Sequence, residues 1–179
     1  SWMLARPGEA DSAIRKDDAK FEAVGTLDEL AAVIGLSLVE ARRVRDEDIV
    51  ETLMAVRDEL LSITSAVVSV ISGLKLPSAL DESVVERIEH RIDTITAELP
   101  ELKSFILPGG SELSSRLHLA RTVARRAERA VISAMNPSDG TAPTGTASVV
   151  LKYINRLSDL LFVLARQADR HVDQLEDAP

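Results

Sequence analysis

The chain has 179 residues, a formal net charge of −8, no cysteine, and 45% hydrophobic residues of which few are aromatic. That length supports one domain with a substantial core, and the aliphatic composition suits a helix bundle better than a β-sandwich. The acidic balance argues against a general nucleic-acid binder; the lack of cysteine excludes disulfides, thiolate metal sites and a cysteine nucleophile; no apolar run is long enough for a membrane span.

Residues 1–15 show no sustained period and contain Pro7 and Gly8, so they read as an irregular arm to a single domain covering residues 1–179. No cleavable signal is evident, and the expectation is a soluble protein of the cytoplasm or an organelle matrix. After Lys16, Asp17 and Asp18, Thr26 followed by Glu29 has the form of a capping box. The first helix is predicted from there, with Leu27, Leu30, Ala31, Ile34, Leu38 and Ala41 inward. Gly35 inside that helix costs roughly 1 kcal/mol against alanine, which points to a close helix approach or a ligand.

Ile49, Leu53, Val56, Leu60, Ile63, Val67 and Val70 keep heptad spacing and predict a long second helix from Asp48 to about Ser72, ended by Gly73 to Pro77. A third runs from near Asp81 to Leu99 with Val84, Val85, Ile88, Ile92, Ile95 and Leu99 inward, and Pro100 stops it. The loop of residues 100–110 carries Leu102, Phe105, Ile106 and Leu107, too apolar for a plain solvated connection. It reads either as a plug in the end of the bundle or as an apolar wall over a ligand.

Ser111 then caps the fourth helix, whose inward seam is Leu113, Leu117, Ala120, Ala124, Ala127, Val131 and Ala134. Beside that seam lie His118, Arg121, Arg125 and Glu128, with Thr122, Arg126 and Arg129 alongside. Four arginines within nine residues form a strong positive field in an acidic chain. Two readings stay open: a surface helix paired with acidic neighbours, or an anion site in which planar guanidinium groups hold phosphates. A Pro-, Gly- and Thr-rich loop leads to the last helix, from about Ser148 to Asp173. Its core positions are Val150, Tyr153, Ile154, Leu157, Leu161, Leu164 and Ala168, and Asn155, Asp159, Phe162 and Arg166 form a second stripe.

The fold expected is therefore all-α, a five-helix up-and-down bundle of the ferritin-like kind. It lacks paired Glu-x-x-His motifs for a di-iron site; His90, His118 and His171 fall on three different helices, and no P-loop occurs. From the residues alone the reading ends at a bundle with one polyphosphate site.

Taken in order, KDD, FEAVGTLDEL, FILPGGS, LHLARTVARRAER and YINRLSDLLFVLAR resemble the PduO-type ATP:cob(I)alamin adenosyltransferases, from about Lys16 to Arg166. The resemblance implies a homotrimer with ATP and the corrinoid bound between subunits, and transfer of the 5′-deoxyadenosyl group of ATP to cob(I)alamin with release of triphosphate and use of Mg2+. It implies Lys16 in the ATP site, Arg125 and Arg126 with Glu128 in the phosphate and metal region, and Asn155 as a nucleotide contact. Asp28 and Arg121 resemble a salt bridge across the subunit boundary, and Phe105 the aromatic residue that displaces the lower axial base of cobalamin. A reductase or a cobalamin-dependent acceptor enzyme is the further partner implied; neither nucleic acid nor membrane is. Two departures stand out: nothing in residues 1–15 matches the family's Thr-Gly-Asp-x-Gly-Thr segment, and Ala31 replaces its usual asparagine. They keep open a non-catalytic corrinoid- or nucleotide-binding relative that stores or delivers cofactor.

Overall fold

The computed structural model describes residues 18–74, 80–102, 105–135 and 143–176, with side chains described as far as Arg170. The N-terminal arm, Lys16 and Pro77 lie outside these residues. Five helices account for the described chain: α1 Ala19–Val44, α2 Glu47–Ser72, α3 Ser83–Glu98, α4 Glu112–Met135 and α5 Thr146–Glu176. The side-chain pairings fix their directions. Glu29 meets Arg126, and Leu36 meets Arg116, so α1 and α4 run antiparallel. Ser114 meets Asp169, and Glu128 meets Asn155, so α4 and α5 do as well. Glu82 pairs with Lys152 and Glu89 with Arg156, which sets α3 parallel to α5. The result is the up-and-down order expected, with α4 between α1 and α5 and α3 packed on α5.

The first helix begins earlier than the sequence suggests. Asp18 is the N-cap, its carboxylate accepting from the Lys20 N–H at 2.9 Å. Thr26 is not a cap: it is buried in mid-helix, and its hydroxyl donates to the Glu22 carbonyl one turn back. Back-bonding of this kind satisfies a threonine inside a helix, so the capping-box spacing is fortuitous. The helix ends at Arg45, which adopts the left-handed conformation (φ 59°), with the Asp46 N–H reaching back to the Ala41 carbonyl. Asp46 then caps α2 by accepting from Ile49 N–H at 3.1 Å. Two residues thus reverse the chain.

One apolar core runs through all five helices. The inward stripes match expectation in the main, though Ile92, Ile95 and Leu99 of α3 and Ala134 of α4 pack against the core only partly buried. Val70 is 39% exposed and Ile71 is buried in its place, because a straight α-helix drifts about 20° per heptad from a 3.5-residue repeat and α2 is long enough for the drift to show. Ala31 is only partly buried, and a Cβ built at Gly35 would meet nothing within 4 Å, so among the described residues no close approach requires that glycine.

Side chains of α3 and α5 converge on Glu59 of α2. Its carboxylate accepts from Arg91 at 2.9 Å, Arg87 at 3.2 Å and the Tyr153 hydroxyl at 2.9 Å. Tyr153 is fully buried in the core of α5, and burial together with the Glu59 charge holds its hydroxyl pKa well above the ordinary value. The phenol is therefore a donor throughout the physiological range. Tyr153→Phe removes that donor while both arginines stay on the carboxylate, so we expect a loss of about 1.5 kcal/mol. In urea unfolding the midpoint should fall with the slope unchanged.

Candidate functional site

The basic face of α4 and the adjoining stripe of α5 form one continuous surface. Successive guanidinium positions on α4 four residues apart, Arg121, Arg125 and Arg129, advance about 6 Å along the axis per step. Arg125 and Arg129 are exposed and Arg121 is half-buried. Arg126 pairs with Glu29 of α1, whereas among the described residues no carboxylate pairs with Arg125. Among the described residues the neighbour-paired reading thus holds, of these four arginines, for Arg126 alone. That pair is nearly half exposed on both sides, a setting in which an ion pair contributes about 0–1 kcal/mol and yields readily to a stronger anion.

Glu128 is half-buried beside these arginines, and its carboxylate accepts from Asn155 Nδ2 at 2.8 Å. Two of the expected site residues, on consecutive helices and 27 positions apart, are in direct contact. The carboxamide fixes the orientation of the carboxylate.

Toward the other end of α4 the surface becomes apolar. A cavity of about 720 Å³ is lined by Leu102, Phe105, Ile106, Pro108, His118, Arg121 and Phe162. The Arg121 guanidinium sits 5.5 Å from the centre of the Phe162 ring, a cation–π arrangement, and the His118 ring lies 6.2 Å from the same ring. Phe105 is fully exposed and Leu107 is 86% exposed. The described part of the loop therefore does not plug the bundle; it lines the cavity with its largest apolar side chain unburied. Arg166 donates to the Pro100 carbonyl at the start of this loop, and Arg170 to the Glu98 carbonyl at the end of α3.

His118 is 6% exposed. Burial is the main cause that lowers its pKa below the usual imidazole value, with Arg121 acting in the same direction and Asp169 against it. Asp28 is exposed on α1, in a groove of about 670 Å³ against α2 that Phe21, Ala31 and Leu61 also line. Within the chain it does not meet Arg121, whose partner is Phe162. Sequence reasoning placed Phe162 on the right stripe without a role and missed Ser114 and Asp169. Their contact joins residues 55 positions apart and leaves no local pattern.

Comparison with known proteins gives a consistent result. The cobalamin adenosyltransferase family profile matches residues 8–168. The corrinoid adenosyltransferase of Bacillus subtilis (strain 168) is 43% identical over 154 residues, covering 84% of this chain and 75% of that protein. The human corrinoid adenosyltransferase MMAB is 40% identical over 158 residues, covering 86% and 60%. Among solved structures, an arginine-to-lysine variant of a PduO-type adenosyltransferase from Lactobacillus reuteri, complexed with ATP, aligns with a TM-score of 0.73 at 29% identity, covering 90% of this chain and 86% of that one. A phenylalanine-to-alanine variant complexed with cobalamin and ATP aligns at 0.72 and 30% identity, covering 90% and 85%.

Proposed function

The chain belongs to the cobalamin adenosyltransferase family, and on that premise we propose that it transfers the 5′-deoxyadenosyl group of ATP to cob(I)alamin along the α4–α5 surface. The observation that carries this reading is the junction at Arg121, where a row of guanidinium groups meets an apolar cavity. A polyphosphate suits the first and the flat, largely apolar corrinoid face suits the second.

In the reaction the cobalt(I) centre of the substrate attacks the 5′ carbon of ATP. A cobalt–carbon bond forms as the C5′–O bond breaks, and its electron pair leaves on triphosphate. The protein supplies no nucleophile; it orients the two substrates and stabilises the charge gathering on the leaving group. Arg125 is free to grip the triphosphate, and Arg126 joins it by exchanging Glu29 for a phosphate oxygen. Lys16 adds a further cation by its resemblance to the family's ATP-site lysine. Asn155 holds Glu128 and contacts the nucleotide. A half-buried carboxylate beside a phosphate site suits Mg2+, which keeps several waters and takes one or two protein carboxylates with substrate phosphates. Glu128 would hold that ion, which supplies Lewis-acid neutralisation of the phosphates. Phe105 and Phe162 keep water from the cobalt face, and Phe105 displaces the lower axial base, which eases reduction to cobalt(I).

Assembly as a homotrimer with sites between subunits completes the proposal. Leu36 and Val39 of α1, and Leu119 and Ile132 of α4, are large apolar side chains at 45–64% exposure that self-association would cover. The Asp28 carboxylate of one subunit would then meet Arg121 of the next.

The deciding assay supplies ATP, Mg2+ and chemically reduced cobalamin and follows the adenosylcobalamin spectrum. Product formation is the expected result. Bound corrinoid without product would instead make the chain a carrier, a reading favoured by Ala31 in the groove beside Asp28.

A further inference from the structure

Behind the cavity wall, His118 Nε2 and Asp169 Oδ1 are both buried without a hydrogen-bond partner among the described residues. An imidazole N–H and a carboxylate oxygen are complementary, and folded interiors rarely leave such groups unmet. The helices bring the two residues to one place. Ser114 and His118 stand one turn apart on the same face of α4, and the Ser114 hydroxyl donates to Asp169 Oδ2 at 2.8 Å. Gly110 confines the carboxylate from the other side: a Cβ there would lie 2.4 Å from Asp169 Oδ1. Only glycine lets the backbone pass so close.

We propose that Asp169 is a positioning residue for adenosyl transfer: by engaging His118 Nε2 it fixes the imidazole, and through it Phe162 and Arg121, at the wall of the corrinoid cavity. This rests on the assignment of that cavity to the corrinoid. The coupling runs from Asp169 to His118, from His118 to the Phe162 ring at 6.2 Å, and from that ring to the Arg121 guanidinium at 5.5 Å.

The charges that act on His118 are Asp169 across on α5 and Arg121 on its own helix. On the α1 side of α4, Glu29 and Glu40 are committed to Arg126 and Arg43, and Arg116 is paired with Glu112. Burial keeps the imidazole neutral at neutral pH. As pH falls through its lowered pKa it gains a positive charge beside Arg121, and the wall is disturbed.

The test uses the full chain as wild type, Asp169→Asn and Ser114→Ala. Steady-state kinetics are run with ATP and chemically reduced cobalamin, and the His118 imidazole is titrated by NMR without either substrate. Asp169→Asn keeps the volume and an acceptor for Ser114 but removes the charge that raises the imidazole pKa, so that pKa should drop further. The KM for corrinoid should rise about tenfold, the worth of one hydrogen bond, with kcat and the KM for ATP within about twofold of wild type. The pH at which the corrinoid KM begins to rise should move down together with the His118 pKa, and Ser114→Ala should raise the same KM by less. An unmoved His118 pKa in Asp169→Asn overturns the proposal, as does a moved pKa with an unchanged corrinoid KM. Phe105→Ala run in parallel locates the failure: if it too leaves the corrinoid KM unchanged, the cavity assignment falls as well, whereas a raised KM there confines the failure to Asp169.

Discussion

Arg125→Ala should slow adenosyl transfer by roughly 10²–10³-fold while leaving the fold intact, the loss expected when one preorganised donor is taken from a developing negative charge. The side chain is exposed, and no carboxylate among the described residues depends on it, so its removal strands nothing. A change at such a surface position is worth within about ±0.5 kcal/mol of stability. Thermal unfolding and sedimentation should therefore match wild type while ATP binding weakens. Dissociation of the assembly in this variant would mean that the arginine makes a subunit contact and not a phosphate contact. Arg125→Lys should recover part of the rate, since it restores the charge without the planar fork. Arg126→Ala is a useful contrast. It releases Glu29, so its effect on ATP binding includes the repulsion of an unpaired carboxylate near the phosphates.

Phe105→Ala carries the second large effect, on the corrinoid side. In the free chain the ring is fully exposed and packs against no core, so its loss should leave stability unchanged. The rate of adenosylation should nevertheless fall on the order of 10²-fold, because the ring shapes the mouth of the apolar cavity and misplacement of the reacting centre by about 1 Å costs that much. The separation of the two effects is diagnostic. Single-turnover measurements with saturating ATP should show the defect with cobalamin as the varied substrate, and ATP affinity measured alone should be unaffected. A variant that loses ATP affinity to the same degree would place Phe105 in the wrong half of the site.

The helices were legible because each buries one stripe at the 3.6-residue period, and long stripes such as Leu113 to Val131 leave little ambiguity. The arginine face was legible for a related reason: four cations within nine residues stand out in an acidic chain. Features made by contact between distant segments were not. Nothing local marks Glu59 as the meeting point of Arg87, Arg91 and Tyr153, which lie 28, 32 and 94 positions away. Asp169 was hidden in the same way, as a charged residue near the end of a helix whose importance depends on Ser114 and Gly110. Thr26 misled because a capping pattern has the same residues whether or not a helix already runs through it. Phe105 was singled out through resemblance, and the loop's composition suggested burial where the structure leaves the ring in solvent.

An odd number of alternating rods has a practical outcome for anyone attaching this protein to a surface or a reporter. The chain enters α1 at Asp18 at the end of the bundle where α4 finishes, nearer Arg129 than Arg121, and α5 runs out at the opposite end, past Asp169 and the loop that bears Phe105. A bulky tether placed before Asp18 should therefore hinder nucleotide access first. The same tether placed after Glu176 should hinder cobalamin first. Comparing the two attachments reads out, without any substitution, which end of the molecule admits which substrate.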